Sequence, residues 1–515
     1  MLDALHFGAA EITAVEVNPI INDVVLRRMD DFWGGLFSQP EVRLVTDEGR
    51  SFVRRSHDQF DAIISVHTIS NAALASGALA LSENYVLTRE AFEDYLDHLS
   101  PDGVIYFTRP EPQIVRLFAT AREALANRGV HDFPSHFYAF RIPPDDAERK
   151  RFGSNRPSFR AGLLVKKSPF TSDGIREIEN LLGVAHQWNE SLVPAAETLY
   201  SPFQTSGRTL YQTLLTTSDL PALYRSEAQQ LVPATDDRPF FNHQTRWSSI
   251  NRGMIRKLFA EKLFGGLALG DRPIAEVCLL VLLAQTMVIS TLLILLPLAR
   301  FSRDGLQAQN SAALLLYFAA LGFGFISIEM ALLSQFTLFL GQPVYTFAVV
   351  LASLLVFSGV GANLSGRLWA EPQPALQRIL PLLLCGLVLT AFLIPVLFRV
   401  ALGLSLPWRV LLGVAALAPI GTLLGMPFPT ALRMVSEVSS SLVPWSWGVN
   451  GFFTVIGTIS AQILAMTFGF RFVLLCGAVC YGVAWAVLRK TTAPESLRAN
   501  SRPEGALDVG TSLRS

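Results

Sequence analysis

Apolar and polar positions are distributed very unevenly along this chain of 515 residues. Before residue 274, charged side chains occur every few positions. From residue 274 to residue 488 only five acidic residues occur, namely Glu276, Asp304, Glu329, Glu371 and Glu437. The first part of the chain is therefore patterned for water and the second part for lipid.

Seven apolar runs in the second part are long enough to cross a bilayer. A spanning helix needs about 20 mostly apolar residues, since it crosses ~30 Å of hydrocarbon at ~1.5 Å per residue. The runs cover residues 274–298, 311–339, 343–365, 379–398, 409–430, 446–467 and 471–488. They predict an all-α transmembrane bundle of about seven helices embedded in the lipid bilayer.

Basic residues flank both ends of this bundle. Arg252, Arg256 and Arg272 precede the first run and favour a cytoplasmic N-terminal domain. Arg489 and Lys490 follow the last run. An even number of helices would place these two residues on the same side of the membrane as the N-terminal domain. We expect a multi-pass integral protein of the plasma (inner) membrane, with a cytoplasmic soluble domain and a helix number known to within one.

Two polar residues lie deep in these apolar runs. Glu329 is placed in the second run, where a charge costs roughly 2.5–3.5 kcal/mol or more, and Asn450 is placed in the sixth. Glu329 either lines an ion or substrate path or forms a polar clasp between helices. The sequence leaves both interpretations open.

The first part of the chain alternates between helix and strand patterns. A helix from Leu2 is followed by strand patterns at residues 11–16, 42–45, 60–65 and 104–108, with a helix at 90–99. Further strands are predicted near residues 136–140 and 160–165. Alternation at this spacing predicts an α/β, Rossmann-like domain with a parallel sheet and crossover helices.

Several polar residues follow the predicted strands directly. In a parallel sheet, ligands bind beyond the carboxyl ends of the strands, where Glu16, Asp47, His67 and Arg109 would lie together. An acidic residue at such a strand end holds the ribose hydroxyls of a nucleotide in Rossmann-like folds, and Glu16 is placed for that role. A carboxylate in this position is also a common helix cap or turn former.

The start of the sequence differs from the usual order of such a domain. Nucleotide-binding folds of this type open with a strand and a glycine-rich turn, before the helix with which this sequence begins. We therefore expect the α/β domain to be incomplete at its N-terminus, lacking its first strand and glycine-rich loop.

Several motifs resemble the membrane-bound relatives of spermidine synthase, whose aminopropyltransferase domain has the fold of S-adenosylmethionine methyltransferases. They are residues 15–19 (VEVNP), 47–52 (DEGRSF), 82–92 (SENYVLTREAF), 99–103 (LSPDG), 235–241 (TDDRPFF), 425–429 (GMPFP) and 445–451 (WSWGVNG). The resemblance implies that Glu16 binds the ribose of S-adenosylmethionine or its decarboxylated form and that Asp47 contacts the adenine. It also implies that Tyr85 and Glu90 border the site of a small amine or membrane-associated acceptor.

The resemblance fails at the catalytic step. Soluble spermidine synthases carry an aspartate after the strand that corresponds to residues 60–64, whereas this chain continues SVHTIS without a carboxylate. His67 is the candidate base there, since its ordinary pKa near 6.5 suits proton transfer, although a histidine at a strand end is often structural. A dicationic polyamine would also need several acidic residues around it, and this stretch has few, so we do not expect a true polyamine synthase.

Composition narrows the remaining possibilities. The formal net charge is zero and no long basic run occurs, so nucleic acid is not an expected partner. The four cysteines lie in the apolar part without metal-ligand spacing, and we expect no metal site.

The predicted domains are 1–183 (α/β), 184–272 (connecting region), 273–489 (membrane) and 490–515 (disordered tail). A transferase is the first interpretation, and the alternatives are a transporter or a membrane protein with a nucleotide-sensing or relic domain.

Overall fold

The computed structural model describes residues 1–66, 81–145, 149–150, 160–188, 194–204, 209–260 and 273–490. The predicted His67 and the predicted disordered tail therefore lie outside the described residues, apart from Lys490. The described part consists of an N-terminal α/β region followed by a helical bundle.

Seven helical segments of the second part are long and apolar enough to cross a membrane, which confirms the predicted number. Spans 1 to 7 are Ile274–Phe301, Ser311–Leu340, Pro343–Leu368, Pro372–Ala401, Leu406–Val438, Ser440–Phe468 and Phe470–Lys490. Each extends the predicted run to nearby polar, proline or glycine positions, because a helix continues until its backbone reaches a breaker or the interface.

Small residues let the spans pack closely, as the sequence predicts. A Cβ atom added at Gly361 in span 3 would overlap the carbonyl of Thr422 in span 5, and one at Gly425 would overlap Ser358. Gly359 in the same span has open space instead, so it does not lie at this contact. Spans 2, 6 and 7 pack against one another and bury most of span 2.

The described strands of the α/β region form two sheets. Strands β1 to β7 are Ile12–Glu16, Val42–Thr46, Phe60–Ser65, Leu99–Arg109, Phe137–Ile142, Arg160–Lys166 and Glu197–Tyr200. Strands β1 and β2 pair in parallel, whereas the second sheet has the order β3-β4-β6-β5-β7. Only β3 and β4 are parallel in the second sheet, so the sheet is mixed rather than the parallel sheet that was predicted.

The described part of the α/β region contains eight α-helices. Helices α1 to α8 are Leu2–His6, Gly49–Arg55, Arg89–His98, Glu111–Asn127, Ser172–Trp188, Leu210–Thr216, Leu220–Ser226 and Arg252–Ala260. A π-helical segment, Ile21–Arg27, follows β1. Helix α5 crosses the predicted domain boundary at residue 183, and β7 beyond it joins the same sheet.

Helix α4 lies at the centre of the α/β core, because its side chains are almost all excluded from water. Its Arg116, 1% exposed, donates to the carbonyls of Val232, Phe240, Phe241 and His243. Burial lowers the pKa of Arg116 to about 9. One buried guanidinium thus fixes the segment that leads into the membrane bundle.

Candidate functional site

Glu16 and Asp47 lie side by side at the carboxyl ends of two paired strands. Strands β1 and β2 run in parallel with Glu16 opposite Thr46, and the Asp47 amide donates to the Glu16 carbonyl at 3.1 Å. The buried amide of Asn22 bridges both strand ends by donating to the carbonyls of Glu16 and Val45. Glu16 and Asp47 are thus adjacent in the structure, as expected for residues at the ends of two parallel strands.

The two carboxylates differ in how far they are already engaged. Glu16 accepts one hydrogen bond through Oε1, from the Asn18 amide at 2.8 Å, and is half-buried. Asp47 accepts from the Glu48 amide through Oδ1 and forms a close ion pair with Arg55 through Oδ2. Glu16 Oε2 therefore accepts no hydrogen bond from a described residue, whereas both oxygens of Asp47 are engaged.

This edge of the α/β region faces the membrane bundle. The Gln342 amide, between spans 2 and 3, donates to the Val17 carbonyl at 2.8 Å, immediately after β1. Arg409 of span 5 donates to Ser51 Oγ in helix α2 at 3.1 Å. Arg54 of the same helix donates to the Arg399 carbonyl near the end of span 4 at 2.6 Å.

Arg50 is the centre of a buried polar network behind this edge. Its guanidinium is 1% exposed and donates to Asp94 at 2.6 Å and to both oxygens of Asp236 at 2.6 and 2.9 Å. Thr88 Oγ1 also donates to Asp236, at 2.7 Å. Burial works to lower the pKa of Arg50, but the two carboxylates outweigh it and raise that pKa well above its ordinary value.

Three of the motifs that carry the resemblance meet in this network. Residues 47–52 supply Arg50, residues 82–92 supply Thr88, and residues 235–241 supply Asp236. Asp236 lies 186 positions from Arg50. The motifs are therefore parts of one structural unit.

Glu90 lies beside Asp236 in the same unit. Its carboxylate accepts from the Asp236 amide at 3.0 Å and from Arg89 at 2.6 Å. Burial, followed by the nearby charge of Asp236, raises the pKa of Glu90 above its ordinary value, and Arg89 offsets part of that rise. A carboxylate with a raised pKa is suited to proton transfer near neutral pH.

Tyr85 lies at the contact between the α/β region and the membrane bundle. Its ring packs in the hydrophobic core of the membrane bundle, and its hydroxyl donates to the Ser334 carbonyl of span 2 at 2.7 Å. The Leu81 carbonyl similarly accepts from Gln462 of span 6 at 3.3 Å. The segment before α3 thus anchors the α/β region to the bundle.

Asp237 joins this unit to span 7, and Arg238 joins it to span 6. Asp237 Oδ1 accepts from the Arg471 amide at 2.8 Å, and Arg238 donates to the Thr467 carbonyl at 3.2 Å. The approach requires glycine at position 469, where φ is +93° and a Cβ atom would overlap Asp237. Burial raises the pKa of Asp237.

A cavity of about 670 Å³ lies between the α/β region and the bundle, and we refer to it as the junction cavity. Its polar lining is Arg50, Arg54, Arg89, Glu90, Glu93, Asp94, Asp97, Asn127, Arg128, Thr235, Asp236, Asp237, Gln335, Arg399 and Arg471. Its apolar lining is Leu338, Ile394, Pro395, Phe398 and Leu402, all from spans 2 and 4 or the turn that follows span 4. One wall therefore comes from a water-soluble domain and the other from membrane helices.

The remaining predicted site residues lie apart from the junction cavity. Arg109 ends β4, is buried, and its pKa is lowered to about 10 by burial. Asn450 donates to the Phe318 carbonyl and so links spans 6 and 2. Glu329 makes no hydrogen bond or ion pair with any residue that the structure describes. The structure does not describe His67.

Sequence reasoning assigned no role to Arg50, Asp236 or Gln335. The charged run at residues 235–238 was a signal for Asp236, and Arg50 lies in the motif at residues 47–52. Gln335 lies in the second apolar run and lines the junction cavity.

Comparisons with known proteins add a partial similarity to one class of enzyme. No protein-family model matches this chain. Over 82 residues the chain is 32% identical to polyamine aminopropyltransferase 1 of Pseudomonas aeruginosa, which is 16% of this chain and 28% of that protein. Over 59 residues it is 25% identical to the polyamine aminopropyltransferase of Sulfurisphaera tokodaii, or 12% of this chain and 20% of that protein. The matches span less than a third of either curated relative.

Proposed function

We propose that this protein is a membrane-tethered, spermidine synthase-like transferase that uses S-adenosylmethionine or its decarboxylated form. The observation that carries the proposal is the pair Glu16 and Asp47 at one sheet edge, in a chain that has a partial similarity to aminopropyltransferases. The sulfonium group of such a cofactor supplies an activated carbon for transfer.

The proposed acceptor is a small amine or a membrane-associated amine that reaches the junction cavity. Glu16 holds the ribose hydroxyls, and Asp47, with Arg55, borders the adenine. With the cofactor bound there, the acceptor nitrogen would replace sulfur at the activated carbon, the sulfur would leave as a neutral thioether, and the nitrogen would lose a proton. Glu90, which lines the junction cavity, is the proposed acceptor of that proton, and its raised pKa suits the task. Tyr85 positions the segment by anchoring it in the membrane bundle.

Cofactor binding by the purified full chain tests the proposal. Isothermal titration with each of the two cofactors is expected to show saturable binding. Replacing Glu16→Gln removes charge-assisted hydrogen bonds worth roughly 1.5–3 kcal/mol, so binding is expected to weaken by roughly 10–100-fold.

Glu11→Gln is the matched control, because Glu11 precedes the same strand β1 at its opposite end and is exposed. That variant is expected to bind like the original chain. Binding of neither cofactor, or an equal loss in both variants, would overturn the proposed site.

Transport is a second candidate, and the isolated position of Glu329 in span 2 supports it. Because this carboxyl has no partner among the described residues, it is available to an ion or substrate that enters the bundle. Flux into proteoliposomes carrying Glu329→Gln separates the candidates. A transporter would lose flux and keep cofactor binding, whereas a transferase would keep its product formation.

A further inference from the structure

The junction cavity contains a buried polar group that no described residue satisfies. Gln335 of span 2 is 5% exposed and lines the junction cavity. Its carbonyl Oε1 has no hydrogen-bond partner among the described residues. A buried unsatisfied acceptor costs about 1–3 kcal/mol, so a bound group that donates a hydrogen bond would be stabilised there.

The charges around Gln335 are not all paired either. On the α/β side, the carboxylates of Glu93, Asp94 and Asp97 form ion pairs with arginines of the same region. On the membrane side, Arg399 and Arg471 form no ion pair within the described ranges. Arg471 has an electrostatic interaction with the Asp237 carboxylate and lies 5.5 Å from the centroid of the Phe392 ring. The charged residues that the membrane spans contribute to the lining, Arg399 and Arg471, are both basic, which suits an anion at this wall.

The depth of these groups matches the polar surface of a bilayer. Gln335 precedes the end of span 2 at Leu340 by five residues, or roughly 7 Å along the helix. Arg399 is near the end of span 4, and Arg471 is the second residue of span 7. Arginines at the ends of membrane helices lie at the same depth as the phosphate groups of lipids.

The apolar wall of the junction cavity continues into the lipid-facing surface of span 4. Ile394 and Phe398 line the cavity, whereas Leu393, Val396 and Val400 on the same helix are 53%, 56% and 79% exposed. An acyl chain could therefore extend from the cavity along span 4 without leaving an apolar surface. A ligand without such a chain would leave this wall in water.

From these observations, we propose that the junction cavity binds a phospholipid whose head group carries a primary amine. Its phosphate contacts Arg399 and Arg471, its ammonium group donates to Gln335 Oε1 and faces Asp237, and its acyl chain lies against span 4. The occupant ties the α/β region to the membrane whatever reaction the α/β region performs.

Lipid binding to the purified, delipidated full chain tests this assignment. Native mass spectrometry with phosphatidylethanolamine, phosphatidylcholine and phosphatidylglycerol of identical acyl chains is the measurement. Phosphatidylethanolamine is expected to bind most tightly, because the quaternary ammonium of choline has no N–H donor and the glycerol head group has no cation. Glycerophosphoethanolamine, which has no acyl chains, is expected to bind weakly.

Variants locate the binding. Gln335→Leu and Arg399→Gln are each expected to weaken phosphatidylethanolamine binding by roughly 5–10-fold, as for the loss of one hydrogen bond. Arg399→Gln changes an exposed side chain, so this variant still tests the lipid site if Gln335→Leu does not fold. Arg367→Gln, an exposed arginine at the opposite end of span 3, is the control and should bind normally.

Three results would overturn the assignment. Equal binding of the three lipids would show no recognition of the head group. Binding by Gln335→Leu and Arg399→Gln that equals the control would place the lipid elsewhere. Equally tight binding of glycerophosphoethanolamine would show that a water-soluble molecule, rather than a lipid, is the occupant.

Discussion

Asp236→Asn is the substitution that most sharply tests the network at the junction. It keeps the shape of the side chain but removes the charge that Arg50 contacts through two hydrogen bonds. Removing one partner of a buried ion pair costs about 3–5 kcal/mol. We expect a cost of about 3 kcal/mol, at the lower end of that range, because Asp236 is 28% exposed and Asp94 still pairs with Arg50.

The thermal midpoint of the first unfolding transition, measured by calorimetry on the full chain in detergent, reports this loss. A domain of this size loses about 2–4 °C per kcal/mol, so the midpoint is expected to fall by roughly 6–12 °C. Arg128→Gln is the matched control, since the Arg128–Asp97 pair is 34% and 50% exposed and such pairs contribute about 0–1 kcal/mol.

An equal shift in the two variants would refute the reasoning. It would mean that solvent screens the Arg50–Asp236 pair as fully as the exposed pair. The three motif segments would then be held together by their apolar contacts alone.

Three further outcomes follow from the described contacts. Because burial raises the folded-state pKa of Glu90, stability relative to Glu90→Gln is expected to rise as pH falls through that pKa and to level off below the ordinary value of 4.5, measured by urea unfolding. Gly361→Ala is expected to destabilise span packing by about 1–3 kcal/mol, whereas Gly359→Ala, with open space around it, is not, as measured by thermal midpoints in detergent. Tyr85→Phe deletes a buried hydrogen bond and is expected to cost about 1 kcal/mol and to speed proteolysis of the junction, with equal digestion rates contradicting it.

The membrane bundle was the most predictable part of this protein. Lipid offers no hydrogen bonds to a bare backbone, so each crossing requires a long apolar helix and each run shows in the sequence. Strand β3 was likewise predicted with its observed bounds, Phe60–Ser65. The antiparallel pairing of β5 and β6 was missed, because apolar strands near 136–140 and 160–165 carry no sign of their direction.

The candidate site was only partly predictable. Glu16 and Asp47 were placed together because parallel strands end at the same sheet edge. The contact between Arg50 and Asp236 joins residues 186 positions apart, and the contact between Ser51 and Arg409 joins residues 358 apart. Such pairs depend on how the α/β region docks on the bundle, which no local pattern encodes.

Identification of the sulfur-containing product tests the central claim most directly. The full chain in lipid vesicles is incubated with each cofactor and a set of primary amines, and the products are analysed by mass spectrometry. The account predicts that one cofactor yields its neutral thioether, methylthioadenosine after aminopropyl transfer or S-adenosylhomocysteine after methyl transfer, and that Glu16→Gln abolishes it while Glu11→Gln does not. Absence of both products, with the chain folded and the Glu11→Gln variant equally inactive, would contradict the assignment as a transferase.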